Sequence, residues 1–237
     1  MSGHSKWAQI HRQKSIADAK KGQLFTKLAN AITIAAKTGG GDPEANFALR
    51  LAIERAKAAN MPKENIERAI KRGTGEIGGA TVEEIFYEAY GPAGVGIVIK
   101  VQTDNRNRAL TNIKTVLNRL GGKLANTGAV MYNFEKVGQI VLKKSEIQIE
   151  RQMDNIFRSG AKDFSEDQET ILVETDPENL EAVKDFLEKE KEEILVANLT
   201  LKPINKVTLS PEEESKLKTL VEALLDLEDV VEVIVSA

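Results

Sequence analysis

Residues 139–203 read QIVLKKSEIQIERQMDNIFRSGAKDFSEDQETILVETDPENLEAVKDFLEKEKEEILVANLTLKP. Short runs of apolar and β-branched residues alternate in this segment with two runs whose apolar residues recur every three or four positions. This pattern predicts the order β-α-β-β-α-β, which is typical of a ferredoxin-like unit. We therefore expect residues 137–204 to form a ferredoxin-like α+β domain.

The segment that follows this unit is too small to form a domain by itself. Residues 84–134 predict β-β-α-β, with a last strand at 129–134, and residues 205–237 predict β-α-β, with a first strand at 207–209. Three elements are too few to bury a core. We therefore expect residues 79–136 and 205–237 to form one α+β domain in which the ferredoxin-like domain is inserted. In the alternative, a linear series of domains, the C-terminal segment is a docked appendage.

The N-terminal residues have a helical pattern. Between Leu24 and Ile70 the apolar side chains recur at three- and four-residue spacing, without the alternation of strands. A glycine-rich segment at 73–79 is a plausible linker. The sequence therefore predicts an α+β protein of three domains, the first of which is a helical bundle at residues 1–78.

Composition excludes several classes of function. The chain has 237 residues, no cysteine and two histidines, which excludes cysteine-based zinc sites and thiol nucleophiles and argues against a histidine-based catalytic triad. No two carboxylates are placed across a predicted cleft. No apolar run approaches the ~18 residues of a membrane span, and the N-terminal residues lack the apolar segment of a secretory signal. We expect a cytoplasmic, non-enzymatic protein with no cofactor, no metal, no membrane partner and no evident small-molecule substrate.

The charges are distributed unevenly along the chain. The net charge of the whole chain is −3, but residues 1–75 carry 14 Lys and Arg against six Asp and Glu, a net charge of +8. The remaining residues carry a net charge of −11. A basic block joined to an acidic body indicates a module that binds polyanions such as nucleic acid. The alternative is a solvated basic surface without a partner.

The candidate nucleic-acid-binding residues of the N-terminal segment combine cations with aromatic rings. Lysine and arginine neutralise phosphates, whereas tryptophan and histidine stack on exposed bases. For Trp7, the alternative is a hydrophobic anchor that packs against the helical bundle. The candidates are Lys6, Trp7, His11, Arg12, Lys14, Lys20, Lys21 and Lys27.

Two further candidates, Arg106 and Arg108, follow a predicted helix cap at Asp104. Cations in the first turn of a helix are unfavourable unless an anion compensates them. A bound phosphate would satisfy both the arginines and the free backbone N–H groups. Intramolecular pairing with Asp104 or with a nearby glutamate is the alternative, and the sequence does not separate the two.

Several motifs resemble those of the YebC family. They are Gly3-His-Ser-Lys-Trp7, Asp18-Ala-Lys-Lys-Gly22, Gly39-Gly-Gly-Asp-Pro43, Tyr87-Glu-Ala-Tyr-Gly-Pro92 and Thr103-Asp-Asn-Arg-Asn-Arg108. The resemblance implies three domains and a probable transcriptional regulator that binds DNA. Other relatives are described as translational activators at the ribosome, so the alternative partner is ribosomal RNA. Neither description involves catalysis.

The sequence departs from the family pattern after the tryptophan. The pair His11-Arg12 stands one residue earlier than in other family members, which on a helix rotates both side chains by about 100°. Lys14, Lys20, Lys21 and Lys27 remain in register with the family.

Overall fold

The computed structural model describes residues 21–79, 81–145 and 147–237. These residues form a mixed α+β structure with two four-stranded sheets. The helices are α1 (Lys21–Gly39), α2 (Phe47–Ala58), α3 (Lys63–Thr74), α4 (Arg106–Arg119), α5 (Ile149–Arg158), α6 (Leu180–Lys189) and α7 (Pro211–Leu225). The strands are β1 (Glu83–Tyr90), β2 (Gly96–Thr103), β3 (Lys123–Leu124), β4 (Phe134–Lys143), β5 (Asp163–Glu166), β6 (Thr170–Thr175), β7 (Ile194–Pro203) and β8 (Val230–Val235).

The described residues divide into two compact units. The smaller unit contains residues 135–202, and the larger contains residues 21–134 together with residues 203–237. The smaller unit therefore interrupts the larger one in sequence. The further division of the larger unit into a helical domain and an α+β domain stays a prediction.

The first three helices of the described residues, α1 to α3, pack around a common apolar core within the larger unit. Ile32 of α1, Leu49 and Ala56 of α2, and Ala69 of α3 are almost completely buried. A side chain at Gly73 would place its Cβ 2.4 Å from the backbone oxygen of Thr33, so the close approach of α1 and α3 requires glycine there. Gly73 thus belongs to α3 and not to a linker.

The sheet of the larger unit has the strand order β3-β1-β2-β8. β1 and β2 are antiparallel, and the C-terminal strand β8 pairs with β2 on its other side. Ile97 and Ile99 of β2 are fully buried, as are Leu117 of α4 and Leu220 of α7. The two segments that flank the smaller unit therefore contribute strands to one sheet.

Two predicted strands are absent from this unit. Residues 131–133 form a turn of 3₁₀ helix, and the next strand begins at Phe134. The reason is that the backbone N–H groups of Val130 and Met131 donate to the carboxylate of Glu88 and not to a neighbouring strand. Residues 207–209 make one ladder-like bond, from Val207 N to Ser236 O over 2.7 Å, and remain irregular.

The smaller unit follows the predicted order β-α-β-β-α-β, formed by β4, α5, β5, β6, α6 and β7. Its strand order is β5-β6-β4-β7, and β6 pairs antiparallel with both β4 and β5. Ile140 and Leu142 of β4, Ile156 of α5, and Leu180 and Leu187 of α6 are fully buried. Ile171 and Val173 of β6 are fully buried as well, so two strands and both helices supply the core of this unit.

Candidate nucleic-acid interface

Most of the N-terminal candidates lie outside the described residues. These are Lys6, Trp7, His11, Arg12, Lys14 and Lys20. Lys21 is the first residue of α1, but its side chain is not described. The role of these seven residues therefore stays a prediction from the sequence.

Lys27 contacts the C-terminal end of another helix. Its Nζ donates to the backbone oxygen of Leu225, the last residue of α7, over 2.8 Å. The last carbonyls of a helix have no partner within the helix and carry partial negative charge, so an ammonium group stabilises them. This contact connects α1 to α7 and gives Lys27 a structural role, whatever its contribution to binding.

Arg106, the first residue of α4, pairs with Glu83 at the start of β1. Its Nε and Nη2 atoms each donate to one carboxylate oxygen. This hydrogen bonding lowers the pKa of Glu83, and the charge of Lys37, at the end of α1, lowers it further. Because two thirds of the Arg106 side chain is exposed, it remains accessible from solvent.

Arg108 lies in a network of carboxylates that joins α4 to β8. Its Nη2 atom lies 2.7 Å from Asp229 Oδ1 and 3.0 Å from Asp104 Oδ1, and its Nε lies 3.3 Å from Asp229 Oδ2. The Asp229 side chain is 6% exposed, so its charge depends on this partner. Hydrogen bonding to Asp229 raises the pKa of Arg108.

The helix that carries these arginines is capped by Asn105 and not by Asp104. The side chain of Asn105 accepts from the N–H of Arg108, while the Asp104 carboxylate accepts from the Arg108 guanidinium. Of the two alternatives for these arginines, the intramolecular pairing is formed. Whether either arginine also contacts phosphate stays a prediction.

Three cations on α3 were not among the candidates from the sequence. Arg68, Lys71 and Arg72 are exposed, and their side chains have no ion pair or hydrogen bond with the described residues. Their spacing of three and four residues places them on one side of the helix. We name them the α3 cluster. The spacing of these three basic residues along a helix could have identified them from the sequence. However, Lys and Arg are common near the C-terminus of a helix simply because they interact favourably with the helix dipole, so the spacing by itself does not indicate binding.

Arg72 of the α3 cluster also lines a cavity of about 320 Å³ in the larger unit. The other charged lining residues are Arg108 and Asp104 at the start of α4, and Glu228 and Asp229 before β8. Thr26 and Asn30 of α1, with Gly79 and Val82, complete the lining. The fold thus brings Arg108, predicted from the sequence, to the same cavity as Arg72, which was not.

Two further features are absent from the described residues. No helix among them is long and apolar enough to cross a membrane. No group of three or more His, Asp or Glu side chains in residues 21–79, 81–145 and 147–237 is arranged to hold a metal ion.

Two models of known domain families match this chain, one in its N-terminal part and one in the rest. A model of the TACO1/YebC N-terminal domain matches residues 5–76, and a model of the TACO1/YebC second and third domains matches residues 82–237. The chain belongs to the TACO1/YebC family. The resemblance drawn from the sequence motifs is therefore confirmed.

Relatives of this TACO1/YebC chain match it over nearly its whole length. A probable transcriptional regulatory protein of Caldanaerobacter subterraneus subsp. tengcongensis is 50% identical over 231 residues, which cover 97% of this chain and 95% of that protein. Another, from Persephonella marina, is 47% identical and covers 97% of this chain and 93% of that protein. The crystal structure of a conserved hypothetical protein from Aquifex aeolicus matches with a TM-score of 0.87 at 43% identity, and covers 92% of this chain and 90% of that one.

Proposed function

We propose that this protein is a cytoplasmic, non-enzymatic regulator of transcription that binds DNA through the larger unit. The observation that carries the proposal is the α3 cluster, which presents three cations without a side-chain partner among the described residues, beside a cavity lined by Arg108. The names of the relatives, probable transcriptional regulatory proteins, support a partner of this kind.

The charge pattern of the α3 cluster suits a phosphate backbone. A cation that already pairs with a carboxylate must lose that partner before it binds phosphate, whereas an unpaired surface cation needs to lose only water and mobile ions. Release of condensed counterions from DNA then favours binding and makes the affinity depend on salt. We therefore assign the α3 cluster the main contribution among the described residues, and the paired Arg106 and Arg108 a smaller one.

The experiment is a salt titration of duplex DNA binding with the variant Arg68→Gln, Lys71→Gln and Arg72→Gln. Glutamine keeps the helix propensity while it removes three charges. Each lost phosphate contact removes ~0.9 from the slope of log affinity against log salt, so the slope should fall by about 2.7.

A matched control removes the same number of charges elsewhere in the larger unit. Lys114, Arg119 and Lys123 are exposed and, like the α3 cluster, have no side-chain partner among the described residues. Their replacement by glutamine should leave the slope unchanged. If both triple variants lower the slope equally, binding follows net charge and not the α3 cluster.

Structured ribosomal RNA serves as a competitor in the same titration. Competition at equal concentrations of phosphate should favour duplex DNA. The protein could instead prefer the RNA strongly, while the α3 variant shows the same loss of slope. That result would mean that the α3 cluster is the interface but that its partner is RNA and not DNA.

A further inference from the structure

We propose that the cavity beside α3 receives one unpaired guanine base of the bound nucleic acid, whose flanking phosphates lie on the α3 cluster. The proposal rests on the proposed function, because it assigns a specific role to the cavity within the same interface. The residues on which it depends most, Asn30, Arg72 and Glu228, have no role assigned by the sequence motifs or by the names of the relatives.

The size of the cavity suits a single nucleoside. Its volume of about 320 Å³ lies at the lower end of the ~300–1,000 Å³ of small-molecule sites. A paired duplex does not fit in such a space, whereas an unstacked base with its sugar does. Proteins that take a base out of a stack hold it in a pocket and recognise it by hydrogen bonds to its Watson–Crick edge.

The charges of the cavity select the base and not the phosphate. The lining contains three carboxylates, of Asp104, Glu228 and Asp229, and two guanidinium groups, of Arg72 and Arg108; Glu228 and Arg72 are exposed residues at its surface. This excess of negative charge disfavours a phosphate inside the cavity and favours a neutral group that donates hydrogen bonds.

Glu228 is the carboxylate that is available to such a group. Arg108 already binds Asp104 and Asp229, whereas the Glu228 side chain has no hydrogen bond or ion pair with the described residues. An ionised carboxylate has two oxygens and accepts hydrogen bonds without donating any.

Guanine matches this acceptor best among the bases. Its Watson–Crick edge carries two adjacent donors, N1–H and the N2 amine, which suit the two oxygens of one carboxylate. Adenine, cytosine and thymine each present a single donor group on that edge, next to an acceptor that a carboxylate repels. Asn30 of α1, whose side chain also has no partner among the described residues, offers an amide donor for the O6 atom of guanine.

Arg72 connects the base to the backbone, because it belongs both to the cavity and to the α3 cluster. A nucleotide whose base lies in the cavity therefore has its phosphates within reach of the cations on α3. As is usual in such complexes, the phosphate contacts position the nucleic acid and the base contact determines which sequence is bound.

The test compares three DNA hairpins that differ at one position of a thymine loop, which carries guanine, inosine or thymine. Inosine lacks the N2 amine and is otherwise the same as guanine, so it removes one hydrogen bond to the carboxylate. We expect fluorescence anisotropy to show binding of the guanine hairpin on the order of tenfold tighter than the inosine hairpin, since hydrogen bonds to charged groups contribute this much. Glu228→Gln should remove most of this preference, and it should not weaken binding of the thymine hairpin because it removes a negative charge beside the phosphate contacts.

Glu178→Gln is the matched control, because Glu178 is an exposed glutamate of the smaller unit, and it should keep the preference. Equal affinity of the wild-type protein for guanine and inosine overturns the proposal, and so does a preference that survives Glu228→Gln. In either case, salt-dependent binding of the thymine hairpin would leave the proposed function intact. If no hairpin and no duplex binds, the proposed function itself fails.

Discussion

Glu88 is a buried carboxylate that organises a loop forty residues away in sequence. Its oxygens accept from the N–H groups of Gly128 and Val130 over 2.6 Å each, and of Met131 over 2.8 Å. Burial by itself raises the pKa of this carboxyl, but the three backbone donors outweigh it, so that the pKa of Glu88 lies below its ordinary value of 4.5. The ionised form of Glu88 therefore stabilises the fold.

We expect Glu88→Gln to lower the free energy of unfolding by about 2–3 kcal/mol. The glutamine forms weaker hydrogen bonds because it is neutral, and its NH₂ group, itself a donor, meets at least one of the backbone N–H groups that now donate to the carboxylate. Urea unfolding at neutral pH measures this difference. Because the pKa is depressed in the folded state, the stabilisation is complete above about pH 4.5 and is lost as the pH falls through the lower, folded pKa. The variant should lack this part of the acid dependence. Equal loss of stability on acidification in both proteins would contradict the assignment.

The sequence did not identify the role of Glu88, and the reason is physical. Patterns of apolar residues report which side of an element faces the core, but a carboxylate that binds distant N–H groups has no local signature. Residues 129–134 have the composition of a strand, and the long-range bonds to Glu88 override that preference. The cap of α4 was misassigned by one residue for a related reason, since Asp104 and Asn105 are both good caps and the pairing of Asp104 with Arg108 separates their roles.

At the scale of elements, α4 and β8 are held together by Arg108 and Asp229. The two residues are far apart in sequence, and Asp229 lies in the turn between α7 and β8. The carboxylate is nearly buried while the arginine side chain is 44% exposed. Removal of the arginine therefore leaves a poorly solvated negative charge.

We expect Arg108→Ala to lower the free energy of unfolding by about 2 kcal/mol, less than the ~3–5 kcal/mol of a fully buried pair because Arg108 is partly exposed. The few tenths of a kcal/mol gained by removing a cation from a helix N-terminus do not offset this. Adding Asp229→Ala should recover part of the loss, with a coupling energy of ~1–2 kcal/mol in thermal or urea unfolding. Additive effects of the two substitutions would show that the pair contributes nothing.

Elements with a strong local signal were predicted correctly. The order of elements in the smaller unit agrees with the apolar pattern of residues 139–203. The candidate site was harder to predict. Arg106 and Arg108 pair with carboxylates, whereas the α3 cluster has no such partner among the described residues. This difference depends on which carboxylates the tertiary fold brings near, and composition alone does not contain that information.

At the scale of the whole molecule, hydrogen bonds join the two segments of the larger unit at the point where the smaller unit is inserted. The N–H of Ile204 donates to the backbone oxygen of Asn133 over 2.8 Å. The side chain of Asn133 exchanges further hydrogen bonds with Asn205, donating to its backbone oxygen over 2.8 Å and accepting from its N–H over 3.0 Å. The chain therefore leaves and re-enters the larger unit at adjacent positions, so that the larger unit does not need the inserted residues to bring its two segments together.

We therefore expect a variant in which a short glycine-serine linker replaces residues 135–202 to fold. Its sheet keeps the order β3-β1-β2-β8, because every strand of that sheet lies outside the deleted segment. Urea unfolding should remain cooperative with a smaller m value, since less surface becomes exposed on unfolding.

The salt slope for duplex DNA should stay that of the full chain if the α3 cluster carries binding. Asn133→Ala in the shortened protein should lower its stability, because it removes the bonds that join the two segments. A shortened protein without cooperative unfolding would show that the two units depend on each other for folding. A folded one with a reduced slope would place part of the phosphate contacts on the smaller unit.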